Sequence, residues 1–348
     1  MQTGEIWWNA LPNNIAVREK ISTAFIDEKS VCLLVGEGKM AWRDIFLSLL
    51  EGSVRSISGE RAFKLCEPRR GADPGEFLME KFCTETDRAK YWFTQDSADF
   101  LAGLPTTVLH QRFVYVAGLT GTDCEKWVNF VNRYTEKCAQ RDHAVFVLEC
   151  CKTHMQEKNG PEYINYTKNT TDQDCFMLCL TAASTLECEG IAKSYIAQLA
   201  ANIAGSDIEL AGELAMNGAD LAVKPYNTAH RLISDSDGTL TDRVEKAVWD
   251  AQLKHLFPLL ERFRSAFIKK YEQHLSRFLP IRNSFGSLVA DAKDLELGAI
   301  HFLSNKIAIS YEDKLLVDRC HDARNLLAHI KTVNYDELLQ LTKIIQGI

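Results

Sequence analysis

Four side chains in the stretch YEDKLLVDRCHDARNLLAHI, Tyr311 to Ile330, could do chemistry together: His321, Arg324, Asn325 and His329. The stretch has no Pro or Gly and is rich in good helix formers. Leu316, Cys320, Ala323 and Leu327 recur at the spacing of a buried helical face. His321, Asn325 and His329 follow one another at intervals of four, so they form a polar stripe on a second face. Arg324 stands about 100° around the helix from Asn325, at the edge of that stripe. An imidazole titrates near neutral pH and can move a proton, while a guanidinium can neutralise the charge developing on a phosphorane. A buried His bonded to a neighbouring Asn would equally serve helix packing.

The run Arg324-Asn325-Leu326-Leu327-Ala328-His329 resembles the Arg-x4-6-His signature of HEPN domains, including the polar residue that often follows the Arg. The resemblance implies a small α-helical bundle that works as a homodimer and, in active members, cuts RNA without metal by attack of its own 2′-hydroxyl. Carried over position by position, Arg324 stabilises the phosphate, His329 is the acid/base and Asn325 orients one of them. The segments WDAQLKHLFPLLERFR, DLELG and ARNLLAH also look like the C-terminal region of bacterial proteins encoded in defence-type gene clusters. That likeness implies a role beside protein partners in a defence complex.

At 348 residues the chain is long enough for two domains, or one with a large appendage. Its 46% apolar and 25% charged residues are those of an ordinary soluble globular protein. A net charge of -7 argues against a generally basic nucleic-acid coat, so any RNA contact must be local. No apolar run reaches the roughly 18 residues that span a bilayer, and MQTGEIWWNALPNN lacks the basic start of a signal peptide. The 11 cysteines are scattered without zinc-type spacing, so free thiols in a reducing cytoplasm are expected, with no metal and no cofactor.

The front of the chain alternates strand and helix. Trp7 and Trp8 precede Leu11-Pro12-Asn13-Asn14, read as a turn that pins the N-terminus, and residues 15–28 read as an amphipathic helix. Ser30 to Val35, Arg112 to Leu119 and His143 to Cys150 are strand-length apolar runs of the kind buried on both faces of a parallel sheet. Arg61 to Glu67 and Tyr163 to Tyr166 read as further strands. Between them fall helices over 41–50, over 74–83 behind an Asp73 cap, and from Thr122 or Asp123 to Ala139. This order predicts an open, largely parallel sheet with helices on both faces.

The Gly36-Glu37-Gly38-Lys39 turn between the first strand and its helix has the layout of a P-loop, with Gly36, Gly38 and Lys39 as the nucleotide-binding candidates. The full motif would place Gly at Leu33 and a hydroxyl at Met40, so the turn is too short and lacks the magnesium ligand. The order of elements resembles a degenerate P-loop NTPase domain. In that family an acid ends the strand beside the P-loop strand; here the run from Arg112 ends in Ala117-Gly118, and Glu149 ends the following one. ATP hydrolysis is not expected.

From Thr170 the pattern becomes helical: Asp174 to Ala183, Glu189 to Ala204 and Asp207 to Met216, then a connection over 218–227 that contains Pro225. Ser234 to Gly238 reads as a linker. Beyond it Thr241 caps a long helix interrupted at Pro258, where a kink or restart is expected. Its second part holds Arg262, Lys269 and Arg277 at intervals of seven and eight, close to one face. They read either as a solvated face or, with His321, as a local RNA-phosphate track. Asp294 opens the next helix and Asn334 caps the last.

The sequence thus predicts an α/β domain over 1–168, a lid-like helical extension over 169–233 and an all-α bundle over 239–348. The functional expectation is a cytoplasmic defence or stress effector in which the degenerate NTPase-like part controls an RNA-cleaving or RNA-binding bundle. A non-enzymatic scaffold built on the same dimer helix is the alternative. A nucleotide hydrolase is disfavoured by Leu33, Met40 and Gly118.

Overall fold

The computed structural model describes the chain except residues 1, 38, 39, 58, 60, 93, 106, 107, 139–142, 158, 188, 189, 235–237, 283–285 and 348. Two compact units divide it, Met1–Asp174 and Cys175–Ile348.

The first unit begins with α1 (Thr3–Ala10) and α2 (Pro12–Ile26), followed by β1 (Val31–Leu34), α3 (Arg43–Ile57), β2 (Ala62–Cys66), α4 (Pro74–Phe82), α5 (Glu85–Arg88) and α6 (Ser97–Gly103). Next come β3 (Arg112–Leu119), α7 (Asp123–Lys137), β4 (Val145–Cys150), β5 (Glu162–Asn165) and α8 (Tyr166–Asn169). The expected turn around Leu11 to Asn14 is instead a helix pair broken at Leu11: Pro12, with no N–H to satisfy, starts α2. Trp7 and Trp8 are fully buried in α1. Asp73 caps α4 through the Glu76 N–H, as expected.

The strands form one parallel sheet in the order β2-β3-β4-β1-β5. Every residue of β1 and β4 is buried, which is why they read as continuous apolar runs. The step from β1 to β2 runs one way across the sheet and the steps from β2 through β4 the other. Right-handed crossovers therefore put α3 on one face and α4, α6 and α7 on the other. On the first face Trp8 meets Phe46, Phe46 meets Tyr115 and Phe25 meets Phe113. On the second, Val114, Val116, Phe146 and Leu148 pack with Leu78, Leu101 and Trp127. The α/β, mostly parallel architecture is as the sequence predicted.

The second unit takes in most of α9 (Asp172–Ser184), then α10 (Gly190–Ala204), α11 (Ile208–Met216), α12 (Gly218–Val223), α13 (Pro225–Leu232) and α14 (Leu240–Leu275). A 3-10 turn (Ser276–Phe278), a short hairpin of β6 (Ile281–Arg282) and β7 (Leu288–Val289) and a second 3-10 turn (Ala292–Asp294) lead to α15 (Leu297–Ser304), α16 (Tyr311–Ala328) and α17 (Tyr335–Gln346). Helices α10 and α13 pack on α14, so residues 175–233 and the C-terminal helices share one core. The all-α character of this half is as expected.

Several local expectations are corrected. The connection over 218–227 is largely helical, with Pro225 opening α13. Thr241 lies inside α14, whose N-cap is Thr239, with no side-chain capping bond. The helix runs through Pro258 and leaves helical geometry at Tyr271 instead, at φ -116° and ψ 17°. Leu256 and Leu260 are both buried, so packing on either side of the proline holds the axis together. Asp294 ends a 3-10 turn, and α15 starts after Glu296. Most of the expected linker, 235–237, lies outside the described residues.

Candidate functional site

Helix α16 carries the predicted residues, and α14 pins it at both ends. At its start Ser310 caps the Asp313 N–H, and Asp313 Oδ2 accepts from Tyr271 Oη at 2.5 Å and Lys270 Nζ at 2.7 Å. At its end Trp249 Nε1 donates to the Leu327 carbonyl at 2.8 Å. The buried Gln252 amide closes both bonds with Val333 at 2.7 Å. Arg319 forks onto Glu337 of α17 at 2.7 and 2.9 Å, a bidentate geometry that fixes rotation. Leu316, Val317, Cys320, Ala323 and Leu327 form the buried face, and burial pushes the Cys320 thiol up to about 12.

Arg324, Asn325 and His321 come together along a cleft of about 470 Å³, whose wall also includes Arg282 on the hairpin, Glu296, Ala299 and Phe302. Asn325 joins two of them. Its Oδ1 accepts from Arg324 Nη1 at 3.3 Å, which turns its Nδ2 toward His321, 3.1 Å from Nε2 and 3.5 Å from Nδ1. The His321 ring stacks on His301 of α15, centroids 4.2 Å apart and planes within 4°. Burial, then the neighbouring His301, holds His321 below its ordinary value. Arg324 also sits 3.9 Å from Glu296, with the two side chains 42% and 61% exposed, a pair that solvent makes weak and easily exchanged for another anion.

His329 is placed differently. It is the exposed C-cap of α16, its backbone N–H shared between the carbonyls of Asn325 and Leu326, and it does not line the cleft. Arg262, Lys269 and Arg277 are exposed, and Arg277 lies beyond the break at Tyr271, in the 3-10 turn that follows the helix carrying the other two. The cation of α14 that neighbours Arg324 is Arg264, lining a second cavity of about 420 Å³ with Glu261, Glu296 and Arg324. Arg264 and Arg262 are about 160° apart on the helix, so Arg262 faces away from that second cavity. Arg264 is itself engaged by Glu261 and by the carbonyls of Lys293 and Leu295.

Sequence reasoning missed Arg282, Arg264, Glu296 and His301. His301 had a legible signal, since an apolar helix such as LGAIHFLS gains nothing from an imidazole without a partner. Arg282 had none, because it depends on a two-residue strand pair.

In the first unit, β1 and β4 are neighbours whose onward connections leave in opposite directions, the point at which open α/β sheets bind ligands. Gly36 is there, at φ 76°, and an added Cβ would lie 2.8 Å from Thr167 Cγ2. Its N–H is already given to the Lys152 carbonyl at 3.1 Å. Gly38 and Lys39 lie outside the described residues, and Met40 is buried. The strand beside β1 is β4, which ends at Glu149 and Cys150, so Glu149 stands next to the turn. It is not free to hold a metal. Glu149 Oε2 accepts from Arg43 Nε at 2.8 Å and Tyr115 Oη at 2.7 Å, and Oε1 from the Gly118 N–H at 3.2 Å. Burial and this carboxylate push the Tyr115 hydroxyl far above its ordinary range.

Among the described residues no cluster of three His, Cys, Asp or Glu side chains could hold a metal ion, and no helix is long and apolar enough to cross a membrane. The described cysteines are free thiols, all buried except the half-buried Cys151. The chain matches no protein-family model and no curated protein.

Proposed function

We propose that this chain is a bacterial defence or stress effector whose C-terminal unit binds and cuts RNA without metal at the Arg324-Asn325 cleft. The N-terminal unit, NTPase-like in strand layout, acts in this reading as a regulator that does not hydrolyse ATP. The observation that carries it is the Asn325 amide tying a guanidinium to an imidazole along an open cleft. Those three groups suffice to hold a phosphate, neutralise its transition state and move a proton. The regulatory half rests on Glu149, whose oxygens are taken by Arg43, Tyr115 and Gly118. The HEPN-like signature adds the expectation that two copies meet through the C-terminal bundle, beside protein partners of a defence complex.

A non-enzymatic scaffold is the second reading, and the position of His329, exposed and off the cleft, favours it. Cleavage of a mixed RNA pool by the full chain in EDTA separates the two. The effector reading expects 2′,3′-cyclic phosphate ends and a loss of about 100-fold or more in Arg324→Ala. Absence of cleavage by wild type, with the Arg324→Ala protein still folded, leaves the scaffold.

A further inference from the structure

We propose that His321, and not His329, moves the proton in this cleft, with His301 as its positioning residue. The inference rests on the ribonuclease reading and changes the residue on which that reading depends. Three observations place His321 in the role. It lines the cleft together with Arg324 and Asn325, whereas His329 does not. The Asn325 amide, oriented by Arg324, lies against the His321 ring, with Nδ2 3.1 Å from Nε2 and 3.5 Å from Nδ1, so it ties the ring to the guanidinium. And the ring is held flat against His301, which is in turn anchored by its Nε2 at 3.2 Å from Asp318 Oδ1. Lys314 also bonds that Asp318 oxygen, so the carboxylate is shared between a lysine and the imidazole.

Among the described residues, the titratable and charged groups around His321 are opposed. From α15 comes His301; from α16 come Asp322, 3.5 Å from Nδ1, and Arg324; from the hairpin and the segment before α15 come Arg282, Asp294 and Glu296 along the same cleft. Burial and His301 outweigh Asp322, so the ring is neutral at neutral pH and ready to accept a proton.

The step is an internal transfer. A ribose 2′-hydroxyl gives its proton to the His321 lone pair, and its oxygen forms a bond to the adjacent phosphorus. The bond from phosphorus to the 5′-oxygen breaks, and the proton returns from His321 to that oxygen. The products are a 2′,3′-cyclic phosphate and a 5′-hydroxyl, with no other reactant. Arg324 stands beside the phosphoryl oxygens, having exchanged Glu296 for them.

The test uses the full chain, single-stranded RNA and EDTA between pH 5 and 9. His321→Gln is expected to lose about 100-fold or more of the cleavage rate, and His329→Ala to stay within a few-fold of wild type. His301→Phe keeps a ring against His321 but removes a group that lowers its affinity for protons, so the acidic limb of the pH profile should move to higher pH. A packing role alone would leave that limb in place. A second measurement needs no turnover: with an uncleavable 2′-deoxy oligonucleotide, the His321 ring-proton resonance should shift and that of His329 should not. Loss of cleavage in His329→Ala with His321→Gln active overturns the assignment and leaves the ribonuclease reading standing. Absence of cleavage by wild type overturns both.

Discussion

Glu149 is a buried carboxylate whose two oxygens are both spoken for, and among the described residues Arg43 supplies the cation of the hydrogen-bonded set. Removing one member of such a pair costs more than the pair itself contributes, because the survivor stays out of water without a counter-ion. Arg43→Ala is therefore expected to destabilise the first unit by about 3 kcal/mol, the lower part of the range for buried pairs, since the Arg43 side chain is 26% exposed. Urea unfolding of the full chain, followed by tryptophan fluorescence, measures it. Replacing both residues by Met should recover at least half of that loss. A double variant as unstable as the single one would mean that the ion pair is not what Arg43 contributes. Binding at this edge of the sheet would likewise have to break these contacts before a phosphate or metal could replace them.

At the scale of the element, α14 organises the second unit, and its most telling residue is His255. The ring is held at 3.3 Å from Thr342 Oγ1 of α17 and lies against the Tyr195 ring of α10. Burial keeps His255 below its ordinary value, and burial with His301 does the same for His321. A base whose folded value is depressed binds fewer protons folded than unfolded. Its contribution is whole above the unfolded value of about 6.5 and is lost as pH falls through the lower folded one. The thermal midpoint should thus drop between pH 7.5 and 5, and His255→Gln should flatten that drop. An unchanged slope would show that the ring protonates without disturbing α10 and α17. The strands of the other unit were legible because burial on both faces leaves a run such as VCLL or VFVLEC with no competing period. The interruption expected at Pro258 failed because tertiary packing on Leu256 and Leu260 outweighs one missing N–H. Tyr271 gave no signal at all, since its departure from helical geometry goes with a hydroxyl committed to Asp313, 42 residues away.

For the whole molecule, a net charge of -7 repels a polyanion, so in the RNA-binding reading proposed above any affinity has to come from local cations and has to weaken with salt. The composition made that much clear, and the spacing of Arg262, Lys269 and Arg277 made them the natural candidates. The structure puts Arg262 and Lys269 on the far side of α14 from Arg264 and separates Arg277 from both. Arg282, which lines the cleft with Arg324, comes from a hairpin too short to be read from its pattern. These positions make opposite forecasts for binding of a 2′-deoxy oligonucleotide measured from low to moderate salt. Each phosphate contact on a single strand contributes about 0.7 to the slope of log affinity against log salt. The double variant Arg282→Ala with Arg324→Ala should flatten that slope by about 1.4. The triple alanine variant of Arg262, Lys269 and Arg277 should leave it nearly unchanged, lowering affinity only through the more negative total charge. The reverse pattern would mean that the strand runs along the outer face of α14, and the cleft would then lose its claim to the RNA.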